Sequence, residues 1–136
     1  MLRSVQLYLV RHAEAASGEP DELRPLTPEG RETARALGRQ LAEQGVRPDA
    51  VLTSPLLRAR ETAEELARPA GLDPQPDERL APGATAENVR AAVTERGATV
   101  VVVGHQPDCG QIAAALIGGE EPSFPPGGVV AIDLPE

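Results

Sequence analysis

A chain of 136 residues, 40% hydrophobic and carrying a net charge of −8, reads as one domain over residues 1–136, able to withdraw roughly two-thirds of its extended-chain surface from water. Tyr8 and Phe124 are its only aromatic residues, so the core must be Leu, Val and Ala, and recognition by aromatic stacking is not expected. The acidic balance argues against nucleic acid as a partner, because such affinity comes mainly from cationic neutralisation of phosphates.

Taken in chain order, the first apolar run, Val5 to Val10, reads as a buried strand that stops at Arg11-His12. The stretch behind Arg3 is short, contains Gln6 and ends in that charged pair, so neither a secretory signal nor a membrane span is expected. Thr27 as N-cap and Pro28 at the first helical position open a helix with Ala34, Leu37, Leu41 and Ala42 on one face and Gly45 at its close. Ala50 to Thr53 is a second strand. Ser54-Pro55 then opens a second helix, with Ala59, Ala63, Leu66 and Ala67 at helical spacing before Pro69.

The segment from Arg68 to Thr85 is rich in breakers. It has room for a weak strand around Gln75 to Leu80, despite Pro74 and Pro76, but is too short for a separate cap domain. Thr85 caps a third helix carrying Val89, Ala92 and Val93 and running to Gly97. Thr99 to Gly104 is a third strong strand and delivers His105. Pro107 starts a fourth helix with Ile112, Ala113, Leu116 and Ile117 before Gly118-Gly119, and Val129 to Leu134 forms the last strand. Within that fourth helix Cys109 is the single cysteine, so no intramolecular disulfide can form and a reducing, cytoplasmic setting fits. A buried packing role suits it better than a reactive thiol.

Alternating strands and helices specify an α/β architecture of three layers: a largely parallel central sheet with helices on both faces. In such sheets ligands sit beyond the carboxyl ends of the strands, beside helix N-termini. Three strand ends here carry suitable groups: Arg11-His12, then Ser54 to Arg58, then His105. Parallel strands would bring all of them to one rim, uncovered by any cap. All 13 basic residues are arginine, which excludes Schiff-base and Walker-lysine chemistry and leaves guanidinium forks suited to oxyanions. The expected site is a concave cationic pocket on an acidic protein, fit for a dianion such as phosphoryl.

Taken alone, a histidine after a strand is usually a polar loop residue, and an arginine early in a helix is usually solvated. Their coincidence on one rim favours function. A zinc site of His12, His105 and Cys109 is the other functional reading of these residues. It is opposed by the flanking arginines and by the lack of HxxxH or CxxC spacing.

The blocks LYLVRHAEA, RPLTPEGRETA, SPLLRARETA and VVVGHQPD together resemble the successive motifs of the histidine phosphatase superfamily, most closely its short, SixA-like phosphohistidine phosphatase branch, over nearly the whole chain. The resemblance implies a phosphoglycerate-mutase-like fold without a cap domain. It implies His12 as the phosphoryl-accepting nucleophile; Arg11, Arg58 and His105 as ligands of the phosphoryl oxygens; and Arg24 as an accessory rim arginine. Two departures stand out. Ala13 occupies a position that is often glycine, which fits if its φ is not positive, and no equivalent is found of the acidic proton donor used by larger members. Glu14 and Glu78 remain candidates for it.

The implied reaction needs no metal or cofactor: neutral His12 attacks phosphorus in line and water then releases phosphate. Its second ring nitrogen is expected to donate to a backbone carbonyl. Lacking a strong acid, the site leans toward a phosphoramidate, whose leaving nitrogen demands less of a proton donor than an alkoxide. The leading expectation is a phosphatase acting on a phosphohistidine-bearing signalling or phosphotransfer protein. The alternatives are a broad small-molecule phosphomonoesterase and a non-catalytic phosphate-binding module.

Overall fold

The computed structural model describes residues 4–135; Arg3 lies outside them. Its strands are β1 (Ser4–Arg11), β2 (Ala50–Thr53), β3 (Gln75–Pro76), β4 (Thr99–Gly104) and β5 (Val129–Pro135), and its helices α1 (Pro28–Glu43), α2 (Leu57–Ala67), α3 (Ala86–Val93) and α4 (Asp108–Ile117). The sheet runs β3-β2-β4-β1-β5. β4, central and parallel to both β1 and β2, is buried from Val100 to Gly104, which explains its unbroken run of valines. Among the described strands only β5 is antiparallel, and it pairs with β1.

Alternation along β1 divides the core. Val5, Leu7 and Leu9 pack with Val89, Val93, Ile112 and Phe124 on one face of the sheet. Val10 packs with Leu37, Leu41, Ala59, Ala63 and Leu66 on the other. Helices α3 and α4 therefore cover one face and α1 and α2 the opposite one, as the period-two pattern requires. α1 and α2 approach so closely that a Cβ on Gly38 would stand 2.6 Å from the Glu65 carbonyl oxygen.

The cap signals hold at three helix ends. The Thr27 hydroxyl accepts from the Gly30 N–H at 2.9 Å, Thr85 and Asn88 form a capping box at the start of α3, and Gly45 beyond α1 takes a φ of +84°. Other boundaries differ from expectation. α2 begins at Leu57, not at Ser54-Pro55: the Leu56 carbonyl accepts the first helical bonds, from Ala59 and Arg60, while the Ser54 hydroxyl accepts the Leu56 N–H at 3.2 Å just ahead of the helix. The strand expected over Gln75 to Leu80 survives as the edge pair Gln75–Pro76. Asp77 accepts from the Arg79 N–H at 2.9 Å and turns the chain into a short 3-10 turn, Glu78–Leu80. α3 stops at Val93 rather than reaching Gly97, with Glu95 at a positive φ of 62° just beyond it.

Register decides where the site lies. Val10 pairs with Val103, and Val103 with Thr53, so these three residues form one row across the sheet. The groups just beyond that row in the chain, Arg11-His12, Ser54 and His105, leave the sheet at the same edge.

Candidate active site

At that edge opens a cleft of about 420 Å³ lined by Arg11, His12, Glu14, Ala15, Arg24, Arg58, Pro82, His105, Gln106 and Pro126. Arg11, His12, Arg24, Arg58 and His105, the residues expected from the sequence to meet a phosphoryl group, are all in its wall. The two imidazoles meet edge to face, with ring centroids 5.2 Å apart and planes at 61°. A second hollow, of about 390 Å³ between α1 and the Arg68–Ala70 turn, is lined mainly by aliphatic groups such as Leu41, Leu66 and Pro69 and holds no constellation able to do chemistry.

Each side chain is held by a separate element. The His12 N–H continues the β ladder onto the Gly104 carbonyl at 3.0 Å, and its ring Nδ1 donates to the Ala13 carbonyl at 2.7 Å. A carbonyl can only accept, so Nδ1 carries the proton and Nε2 of the neutral ring keeps its lone pair. Arg11 donates through Nη1 to the Phe124 carbonyl at 3.0 Å, tying the rim to the loop before β5. Arg58, in the first turn of α2 and 6% exposed, donates through Nη1 to the Asp21 carbonyl at 2.9 Å and through Nη2 to the Asp21 carboxylate at 3.3 Å. Arg24 shares that carboxylate through Nε at 2.9 Å. His105 lies 2.7 Å by Nε2 from the Ser54 hydroxyl.

The fields are those of a cation-lined cleft. Burial, then the charges of Arg58, Arg11 and Arg24, lowers the His12 pKa below its ordinary value, partly opposed by the bond to Ala13. Burial first, then His12 and Arg58, lowers that of His105 to about 4. Both rings are therefore neutral near pH 7. Hydrogen bonding from Arg24, reinforced by Arg58, holds the Asp21 carboxyl below the usual carboxylate range, so it stays ionised.

One face of α2 organises the surrounding loops. Glu61, three residues after Arg58, accepts the Leu26 N–H at 2.8 Å and pairs with Arg31 at 3.0 Å, fastening the segment that carries Arg24. Thr62 accepts the Ala13 N–H at 3.0 Å. Ala13 is fully buried beside Leu26 and Ala34 and is not among the residues at positive φ, so alanine fits there.

Of the two candidate acids, Glu14 reaches the cleft but accepts from the Thr27 hydroxyl at 2.8 Å. Glu78 is exposed in its 3-10 turn and does not line the cleft. Cys109 is buried, its sulfur 3.7 Å from the Val10 carbonyl, and burial raises its thiol pKa to about 12. Among the described residues no group of three or more His, Cys, Asp or Glu side chains is placed to hold a metal ion, and no helix is long and apolar enough to cross a membrane.

Asp21, Glu61 and Thr62 escaped the sequence reading, and the contact of Ser54 with His105 escaped it too. Thr62 comes one helical turn after Arg58 and could have been suspected from that spacing. Asp21 opens the three-residue 3-10 turn Asp21–Leu23, too short to carry a periodic signal.

Comparison with known proteins agrees with this arrangement. Residues 7–82 match the model of the histidine phosphatase superfamily (branch 1). The phosphohistidine phosphatase SixA of Escherichia coli is 33% identical over 142 residues, covering 97% of this chain and 87% of that protein. A solved structure of the protein histidine phosphatase SixA in complex with tungstate superposes with a TM-score of 0.84 at 30% identity, over 93% of this chain and 86% of that one. The putative phosphohistidine phosphatase SixA from Agrobacterium tumefaciens gives 0.81 at 31% identity, over 95% and 91%. The match spans more than half of the chain by family and nearly all of it by relatives, and the chain belongs to the histidine phosphatase superfamily, branch 1, on its SixA-like side.

Proposed function

We propose that this phosphatase hydrolyses phosphohistidine on a partner protein through a covalent phosphoryl intermediate on His12. The observation that carries the reading is the Nδ1 bond of His12 to the Ala13 carbonyl, 2.7 Å long, inside a wall that also holds Arg11, Arg24, Arg58 and His105. It leaves Nε2 as a fixed nucleophile among positive charges. In the first step Nε2 forms a bond to phosphorus while the P–N bond to the substrate imidazole breaks in line, and the leaving nitrogen takes a proton from solvent. In the second, water adds to phosphorus and the phosphoryl group leaves His12 as inorganic phosphate, restoring the neutral ring. Arg11 and Arg58 stabilise charge on the equatorial oxygens, with His105 as a neutral donor and Arg24 at the rim. The Nε groups of Arg11 and Arg58 are buried without partners among the described residues, so water does not compete at that edge of either guanidinium.

The preference for a P–N bond rests on the carboxylates. Asp21 is held ionised by two arginines, Glu14 is engaged by Thr27, and Glu78 stands outside the cleft. None is placed as a free donor turned toward the leaving group, as an alkoxide needs, a contribution worth roughly 10²–10⁴ in rate. The uncapped rim also suits a residue presented on a protein surface. The single chain serves as one domain, with β1, α2 and β4 all contributing to the same cleft.

The test is rapid quenching with ³²P-phosphoramidate, then comparison of turnover on phosphoramidate and an alkyl phosphate. An acid-labile, base-stable label lost in His12→Ala, with the phosphoramidate turned over faster, is the expected result. Tight oxyanion binding without turnover would reveal a binding module, and a marked preference for the alkyl ester would make the protein a small-molecule phosphomonoesterase.

A further inference from the structure

The backbone around His12 is fixed by three bonds in succession. The His12 N–H goes to the Gly104 carbonyl of β4 and the Glu14 carbonyl accepts from the Thr27 N–H, each at 3.0 Å. Between them the Ala13 N–H has a side chain as its partner, the hydroxyl of Thr62 at 3.0 Å. That hydroxyl is fully buried and spends its own proton on the Arg58 carbonyl, one helical turn back, at 2.9 Å. With its proton committed, the Thr62 oxygen can only accept from Ala13. The Ala13 carbonyl in turn is the acceptor for Nδ1 of His12.

We infer that Thr62 is a positioning residue for the nucleophile: it pins Ala13 so that the Ala13 carbonyl holds the imidazole of His12 with Nε2 directed at phosphorus. The inference rests on His12 as nucleophile. One threonine on α2 thus links the helix that presents Arg58 to the loop that presents His12, and sets their relative placement through two bonds of one oxygen. Loss of the hydroxyl leaves a buried N–H without an acceptor, and Ala13 must shift to find one. The carbonyl then no longer selects the ring tautomer, and a fraction of His12 carries its proton on the attacking nitrogen.

The test compares Thr62→Val, of nearly the same shape, with Thr62→Ser, which restores the hydroxyl. In the valine variant the rate of His12 phosphorylation by phosphoramidate should fall roughly 100-fold, the scale of a small misplacement of a reacting group, while the inhibition constant for inorganic phosphate, which needs no bond to the imidazole, stays within about threefold because Arg11, Arg58 and His105 remain. The serine variant should recover most of the rate. A wild-type rate in Thr62→Val overturns the inference, as does an equal loss in the serine variant. Should the valine variant fail to fold, ¹⁵N chemical shifts of His12 in the wild-type protein decide: the Nδ1-protonated tautomer supports the arrangement and the Nε2-protonated one overturns it. His12→Ala is run alongside. Retained turnover there removes the nucleophile itself, whereas a dead His12→Ala with an unaffected Thr62→Val removes only the role of Thr62.

Discussion

Acidification should destabilise this fold through His105, by an amount set by its surroundings. The residue is 5% exposed, and burial, with repulsion from His12 and Arg58, lowers its pKa from 6.5 to about 4. Because the folded value lies below the unfolded one, the unfolded chain takes up the proton first. The stabilisation is complete above pH 6.5 and is lost as the pH falls toward 4. At about 1.36 kcal/mol per unit, the loss reaches about 3 kcal/mol at the lower limit. Asp21 and Asp77, held low chiefly by Arg24 and Arg79, lose stability in the same direction at the acid end, so the total pH dependence is not diagnostic. The difference between wild type and His105→Gln is. Urea unfolding monitored by far-ultraviolet circular dichroism between about pH 7 and pH 4 should show the wild-type advantage shrinking by about 3 kcal/mol, with unchanged m-values. A constant difference over that range would mean that the folded protein charges His105 as freely as the unfolded chain does, and burial could not be what holds the ring neutral.

Two further outcomes are expected. Arg58→Ala should lower kcat on phosphoramidate by roughly 10²–10³, the scale of a lost oxyanion donor; a near-normal rate would mean that this guanidinium serves Asp21 alone. Cys109, at 1% exposure and with its thiol raised to about 12, should resist iodoacetamide in the native protein at about pH 8 and react fully after denaturation; rapid native labelling would refute its packing role.

Much of the architecture is legible in one dimension because it rests on local physics. The valine run of β4, the alternation in β1 and the caps at Thr27 and Thr85 are set by burial periodicity and by neighbouring donors and acceptors, within a few residues of chain. The same locality explains why Arg11, His12 and His105 could be expected in one cleft: a polar group where a buried strand ends has one rim to go to. Boundaries failed where a polar side chain took a partner that its residue type alone does not specify. Ser54 would cap α2 by its type, but its hydroxyl takes the Leu56 N–H ahead of the helix and also lies against His105, far along the chain. The strand expected after Pro74 was cut short by the turn at Asp77.

The sequence by itself determined the layers, the end of the sheet at which the cleft opens and the arginine-histidine character of that cleft, since each is a matter of spacing and composition. Tertiary structure alone decided how those groups are oriented: Asp21 between Arg24 and Arg58, Ser54 against His105, and Thr62 behind Ala13. A hydrogen bond requires two groups to meet within about 3 Å at a suitable angle, and for residues 37 to 51 positions apart no local periodicity encodes that meeting; it exists only once the helices have packed on the sheet.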